Sequence, residues 1–182
     1  MTTIPEDMKL TTMIQIWLDE AGWKDDIDIG IDPEARTARA ITLYELDGNF
    51  YRVIIEADEG RQQLGVYIYG CIGIPAARYA EACKLVNGIN CRIGTGRIAA
   101  ISDGPFQYRA LVDLDGKSTD TIAIDKPFGG GRRAFKDWSN GMGQLIFGEK
   151  SADQILEELD KAHQPPGTGA DTLICPGSLV PS

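Results

Sequence analysis

The sequence predicts an α+β domain, an antiparallel sheet with flanking helices, in the order α-β-β-β-α-β-β-α-α. Segments that alternate between apolar and polar residues, typical of strands, lie on both sides of a helix-forming segment at residues 75–90. Turn sequences such as Asp47-Gly48 separate the strands, which favours antiparallel hairpins. Apolar residues recur with helical spacing near the N-terminus and in the last third of the chain. A chain of 182 residues suits one domain.

The first and last helices carry sequence signals for their starts. The first is expected over residues 11–22, where the apolar side chains fall on one stripe. Thr12 is followed three residues later by Gln15, and Ser151 is followed in the same way by Gln154. This spacing predicts a capping box at each helix.

Five strands are expected, at residues 36–46, 50–57, 64–69, 96–102 and 106–114. In the third of them, Tyr67 and Tyr69 share the face opposite that of Leu64. Exposed aromatic side chains clustered on a sheet favour contact with a partner. The two tyrosines therefore form a candidate binding surface if the helices leave their face open.

The central helix is expected to begin with Pro75, a favoured first-turn residue. Cys83 and Cys91 lie eight residues apart, which would place both on one face, where we expect them to pack in the core. Asn87 and Asn90 lie near the end of the helix and are expected to bond to nearby backbone, in structural roles.

The glycine-rich segment 127–133 precedes the third helix, which is expected over residues 132–147. It lacks the Gly-Lys-Ser/Thr of a phosphate-binding loop, so we expect a flexible connection. Because Arg132 and Arg133 follow the glycines, binding of an anion at the start of the helix is the alternative.

Two other segments resemble ligand loops only superficially. Residues 26–34 match part of a calcium loop, but Ile31 and Thr37 occupy the positions that require glycine and glutamate. The alternating isoleucines there indicate a half-buried strand instead. Residues 94–99 match G-x-G-x-x-A, but a helix precedes and a strand follows, the reverse of a nucleotide-binding motif.

Charge and composition restrict the class of partner. The net charge is −9, so the chain repels phosphate backbones and nucleic acid is not an expected partner. No apolar run approaches the ~20 residues that cross a bilayer, and the N-terminus lacks a secretory signal. We expect no membrane partner and a cytoplasmic location, with the four cysteines reduced. Residues 75–136 are locally basic, which we expect internal acidic groups to compensate, with contact to an acidic partner as the alternative.

The chain offers little for catalysis. Its single histidine, His163, is expected at the frayed end of the last helix, and no Cys/His spacing fits zinc. We therefore expect no catalytic residues, no metal and no cofactor. The expected domain boundaries are a leader at 1–9, one domain at 10–163 and a Pro/Gly-rich tail at 164–182.

Three segments carry a resemblance to a known family: Asn49-Phe-Tyr-Arg-Val, a helix ending Leu85-Val-Asn-Gly-Ile-Asn90, and Phe106-Gln-Tyr-Arg-Ala. With the order of elements, they make roughly residues 10–160 similar to the YbjN family of small bacterial proteins. That family resembles type III secretion chaperones, which dimerise and hold extended peptide segments. Some members are described as regulators of sensory transduction.

The resemblance implies a non-enzymatic regulatory or chaperone-like module that binds a protein or peptide partner, with a homodimer as one form. The candidate partner-binding residues are Tyr67, Tyr69, Arg132 and Arg133. The alternative is a small-molecule or thiol-dependent enzymatic site near Cys83, Cys91 or the Gly129–Arg133 loop.

Overall fold

The computed structural model describes residues 4–23, 27, 29–117 and 120–163, apart from the side chains of the last two. These residues form one six-stranded antiparallel sheet and four α-helices, which confirms the α+β class and the expected order. The helices are α1 (Lys9–Glu20), α2 (Tyr79–Asn90), α3 (Ile122–Phe147) and α4 (Ala152–His163). The strands are β1 (Ile29–Asp32), β2 (Thr37–Leu46), β3 (Asn49–Asp58), β4 (Gln63–Gly73), β5 (Arg97–Ala100) and β6 (Pro105–Asp113).

The strands lie in the order β1-β2-β3-β4-β6-β5, and every neighbouring pair is antiparallel. β1 adds a strand to the five expected, at the position where alternating isoleucines indicate one. Asp47 and Gly48 join β2 to β3 with positive φ angles of 50° and 77°, the geometry of a tight hairpin turn. Of the calcium-like segment, residues 26 and 28 lie outside the described residues.

The hydrophobic core lies between one face of the sheet and the helices. On β4, Leu64, Val66 and Ile68 are buried, and they alternate with residues on the other face. An aromatic cluster ties the helices to β2, with Phe128 of α3 packed edge-on against Tyr44 at 5.4 Å between ring centroids. No helix in the described part of the chain is long and apolar enough to cross a membrane.

The N-terminus of α1 is capped by a distant carboxylate, so the capping box expected at Thr12 and Gln15 is wrong. The helix begins at Lys9, and the hydroxyl of Thr12 donates to the Met8 carbonyl inside the first turn. Glu59, buried between β3 and β4, accepts hydrogen bonds from the Thr11 amide at 2.8 Å and its hydroxyl at 3.1 Å. A buried carboxylate at a helix start also meets the positive end of the helix dipole.

The start of α4 follows its sequence signal. The Ser151 amide donates to the Gln154 side-chain oxygen at 2.9 Å, and the Gln154 amide donates to the Ser151 hydroxyl at 3.3 Å. These reciprocal bonds confirm the expected capping box.

Helix α3 is ten residues longer than expected, and the flexible loop predicted at 127–133 is wrong because this segment is helical. The glycines allow α3 to approach the sheet closely. A methyl group added at Gly131 would lie 2.6 Å from atoms of Ile68 and Tyr108, and one at Gly130 would lie 2.9 Å from the Tyr108 hydroxyl. Side-chain bulk at these two positions would therefore push the helix off the sheet.

The expected core packing of both cysteines is wrong. α2 ends at Asn90, so Cys91 follows the helix and is exposed, while Cys83 is half-buried. Pro75 precedes a short 3₁₀ turn that leads into α2.

The structural role expected for Asn90 is confirmed, although its hydrogen bonds go to a strand eight residues away and not to the adjacent turn. Its side chain donates to the Ile98 carbonyl and accepts from the Ile98 amide, both at 2.8 Å. The amide group thus joins the end of α2 to the outer edge of β5. Asn87 is exposed.

Candidate binding surface

Among the described residues, the sheet face that carries Tyr67 and Tyr69 is open. The helices pack on the opposite face, against residues such as Ile68 and Tyr108. Two leucines stand out on the open face, Leu43 of β2 with 68% of its surface exposed and Leu111 of β6 with 67%.

Strand register arranges the side chains of the open face in rows across the sheet. One row across the sheet runs Ile41, Ile54, Tyr67, Arg109 and Arg97. The next row contains Leu43, Arg52 and Tyr69. We define the open face as these eight residues together with Leu111, which follows Arg109 by two positions on β6.

Tyr67 is held by a polar network. Its hydroxyl is hydrogen-bonded to Glu56, whose carboxylate also accepts from the Arg39 Nε at 2.7 Å. Burial raises the pKa of Tyr67, and the negative charge of Glu56 adds to this effect. The Tyr67 ring lies over Gly65, where an added Cβ would come within 2.6 Å of it. The ring is therefore fixed flat on the sheet, which keeps the centre of the open face shallow.

Positive charge gathers at one side of the open face. Arg97 and Arg109 are directly opposite each other on β5 and β6, and like charges in this position are unfavourable. Neither has a carboxylate within ion-pair distance among the described residues. The Arg52 guanidinium lies 4.8 Å from the centre of the Tyr69 ring, as a cation–π pair. This arrangement is suited to an anionic group from outside the described structure.

The structure does not bring the four predicted partner-binding residues together. Arg132 and Arg133 belong to α3, on the helical side of the sheet. The Arg132 guanidinium lies 5.2 Å from the centre of the Tyr44 ring and 5.9 Å from that of Phe128, so it packs against the aromatic cluster. The tyrosines belong to the open face.

Arg133 lines a separate cleft of about 500 Å³, which we call the arginine cleft. Gly94 and Thr95 form one wall, and Gly130 of α3 forms another. The two glycine motifs singled out in the sequence thus meet in space, although neither forms a phosphate loop. Arg92, also in the lining, is paired with Asp160 at 2.6 Å. Cys83 and Cys91 are not among the residues of this cleft.

Leu43 and Leu111 are the most exposed of the binding-surface residues that sequence reasoning missed. On β2 the inward positions 38 and 40 hold alanine, and Tyr44 and Leu46 are the larger inward residues, whereas the outward positions include Ile41 and Leu43. Two large aliphatic residues therefore point away from the core, contrary to the usual pattern. These outward aliphatic residues are the signal that could have identified the open face.

The chain matches no protein-family model, no curated protein and no solved structure. Within the described residues, no three His, Cys, Asp or Glu side chains form a group that could hold a metal ion. The geometry of the open face is the strongest functional signal on the molecule.

Proposed function

We propose that this protein is a non-enzymatic regulatory or chaperone-like module that binds a segment of a partner protein across the open face. The observation that carries the proposal is the exposure of Leu43 and Leu111 on a sheet face that the helices leave uncovered. Ile54 and Tyr67 lie between the two leucines, in the intervening row of the sheet. Exposed apolar side chains with polar neighbours are typical of protein interaction sites.

The charges specify the partner further. Arg97 and Arg109 lie opposite each other without a carboxylate in ion-pair distance among the described residues, and Arg52 lies on the same face two strands from Arg109. These charges favour a segment that carries acidic as well as apolar side chains. The apolar residues would cover the leucines, and the acidic residues would lie against the arginines. This chemistry agrees with the resemblance to the YbjN family and to chaperones that hold extended segments, and we propose a cytoplasmic location for the same reason.

A peptide-display library of random dodecamers tests the proposal, because random peptides sample many partner sequences at once. Selection on the wild-type protein should enrich peptides that combine Leu, Ile or Phe with Asp or Glu. Arg109→Glu should shift the enriched charge from acidic to basic, and Leu111→Ser should reduce enrichment at least tenfold. Ile16→Ser, on an exposed position of α1, is the matched control and should leave selection unchanged. If Arg109→Glu and Leu111→Ser enrich the same peptides to the same degree as the wild type, the proposed site is refuted.

A second copy of the chain is the other occupant to distinguish. Arg109 and Asp113 are opposite charges four positions apart on the same side of β6, so the face has some complementarity to a second copy of itself. Sedimentation velocity measures this directly. A tight dimer that Leu111→Asp dissociates would assign the face to self-association and overturn the peptide-binding proposal.

As a second candidate function, we propose that the arginine cleft binds a small anionic molecule. Arg133 lines this cleft of about 500 Å³ with Thr95 and Gly130, and no carboxylate of the described residues lies within ion-pair distance of its guanidinium, which favours an anionic ligand. Asp137 is also in the lining and favours a ligand of low charge. Calorimetric titration with inorganic phosphate should show saturable binding that Arg133→Ala weakens at least tenfold. No heat of binding, or equal binding by the variant, would remove this candidate.

A further inference from the structure

We infer that the protein has another binding site, for a neutral apolar small molecule, in a cleft between the ends of β3 and β4 and the C-terminal half of α3. This apolar cleft has a volume of about 400 Å³. Phe106 and Phe135 line it with Met142, and the exposed side chains of Phe50, Ile72 and Phe147 belong to its rim. Its size and aromatic lining are those of small-molecule sites in proteins. The site is distinct from the open face and from the arginine cleft.

The lining carries no formal charge. None of its fourteen residues is Asp, Glu, Lys or Arg, although these make up 25% of the chain. A charged ligand placed there would lose hydration without gaining a counter-ion. The cleft therefore discriminates in favour of uncharged molecules.

Local backbone features keep the cleft open. The register between β4 and β6 shifts between Tyr69 and Gly73, so the end of β4 separates from its neighbour. On the opposite wall, Gly143 of α3 has no heavy atom within 4 Å of the position that a Cβ would occupy. A larger residue there would fill the space, and the glycine leaves it empty.

The polar side chains of the lining are neutral, and they are fewer than the apolar ones. Tyr51 is hydrogen-bonded through its hydroxyl to Ser139, and the amides of Asn49 and Asn140 complete the polar part of the lining. A ligand with an apolar body and one or two neutral hydrogen-bonding groups matches this division. The polar groups would fix its orientation, and the aromatic residues would supply most of the affinity.

Two fluorescent probes that differ only in charge test the inference. N-Phenyl-1-naphthylamine is neutral, and 1-anilinonaphthalene-8-sulfonate is the same molecule with a sulfonate. The neutral probe should bind with 1:1 stoichiometry and at least tenfold more tightly than the sulfonate. Gly143→Leu should weaken this binding at least tenfold, whereas Gly129→Leu, in the same helix outside the cleft, should change it less than twofold. Equal binding of the two probes, or no effect of Gly143→Leu, would overturn the inference.

A measurement on the wild-type protein avoids dependence on any variant. Cys71 lines the cleft, and Cys91 is exposed elsewhere, so the second thiol serves as an internal control. Saturating neutral probe should slow the reaction of Cys71 with N-ethylmaleimide at least fivefold and leave Cys91 unaffected. If Cys71 already reacts slowly before the probe is added, a second copy or residues 164–182 fill the cleft. That result would also overturn the inference. Peptide selection on the open face is unaffected by either result.

Discussion

Replacement of glycine by alanine at two positions of α3 should change stability in opposite directions. At Gly143 the added methyl meets nothing within 4 Å, and at Gly131 it lies 2.6 Å from Ile68 and from the Tyr108 ring. Alanine in a helix interior is favoured over glycine by about 0.5–1 kcal/mol. Gly143→Ala should therefore stabilise the protein by roughly that amount.

At Gly131 the same propensity gain is opposed by steric overlap. Ile68 and Tyr108 are fully buried, so neither can move into solvent. Overpacking of this kind costs about 1–3 kcal/mol, which outweighs the gain and leaves a net loss of roughly 0–2.5 kcal/mol. Because the propensity gain is common to both variants, their difference isolates the steric cost, about 1–3 kcal/mol.

Urea unfolding followed by tryptophan fluorescence measures both variants against the wild type. The slope of free energy against denaturant should be unchanged, so that midpoints report stability alone. Equal midpoints for Gly131→Ala and Gly143→Ala would refute the close approach of α3 to the sheet. A Gly131→Ala protein more stable than the wild type would refute it as well.

Three further perturbations test individual contacts. Glu59→Ala should destabilise the protein by about 1–3 kcal/mol, because the buried amide of Thr11 loses its acceptor. Urea unfolding measures this destabilisation, which should be smaller in Glu59→Gln because glutamine keeps an acceptor oxygen. Asn90→Ala should lower the free energy of unfolding by about 1–3 kcal/mol and speed amide hydrogen exchange in β5, because Ile98 loses both hydrogen bonds to the Asn90 side chain. The exposed control Asn87→Ala should lower it by less than about 0.5 kcal/mol. Equal losses in the two variants would contradict the hydrogen-bonded link between Asn90 and β5. Burial raises the pKa of Tyr108 to about 12, so absorbance at 295 nm should show a late tyrosine ionisation that Tyr108→Phe removes. Since the folded pKa lies above the unfolded value of about 10, the stability linked to this group is complete below pH 10 and is lost as the pH rises towards 12.

The features predicted correctly from the sequence are those that depend on residues close together along the chain. The Asp47-Gly48 hairpin and the Ser151 capping box follow from local backbone chemistry, and both are confirmed. The start of α3 was missed because glycines and a proline at 127–131 indicate a break in helix structure locally. Contact with Tyr108 overrides that signal, and this contact spans more than twenty residues. The cap of α1 was missed for the same reason, since Glu59 lies 48 residues from Thr11.

The candidate surface was predictable in part. Alternation along β4 places Tyr67 and Tyr69 on the face opposite Leu64, and this is confirmed. Which of the two faces the helices cover is decided by the packing of all the helices together, so sequence alone left that open. Proximity in sequence also suggested that Arg132 and Arg133 act as a pair, but on α3 the first packs on aromatic rings and the second lines a cleft.

The bridge from Asn90 to β5 has a consequence for how other chains can approach. Sheet edges attract additional strands, because their outward amides and carbonyls have no partner. At Ile98 both groups are already occupied by the Asn90 side chain, and β5 contains only four residues. β-Augmentation is therefore blocked on this side of the molecule. The opposite edge of the sheet is β1. Edge-to-edge stacking of many copies needs both edges, so blocking of β5 disfavours an open-ended stack and favours a closed complex.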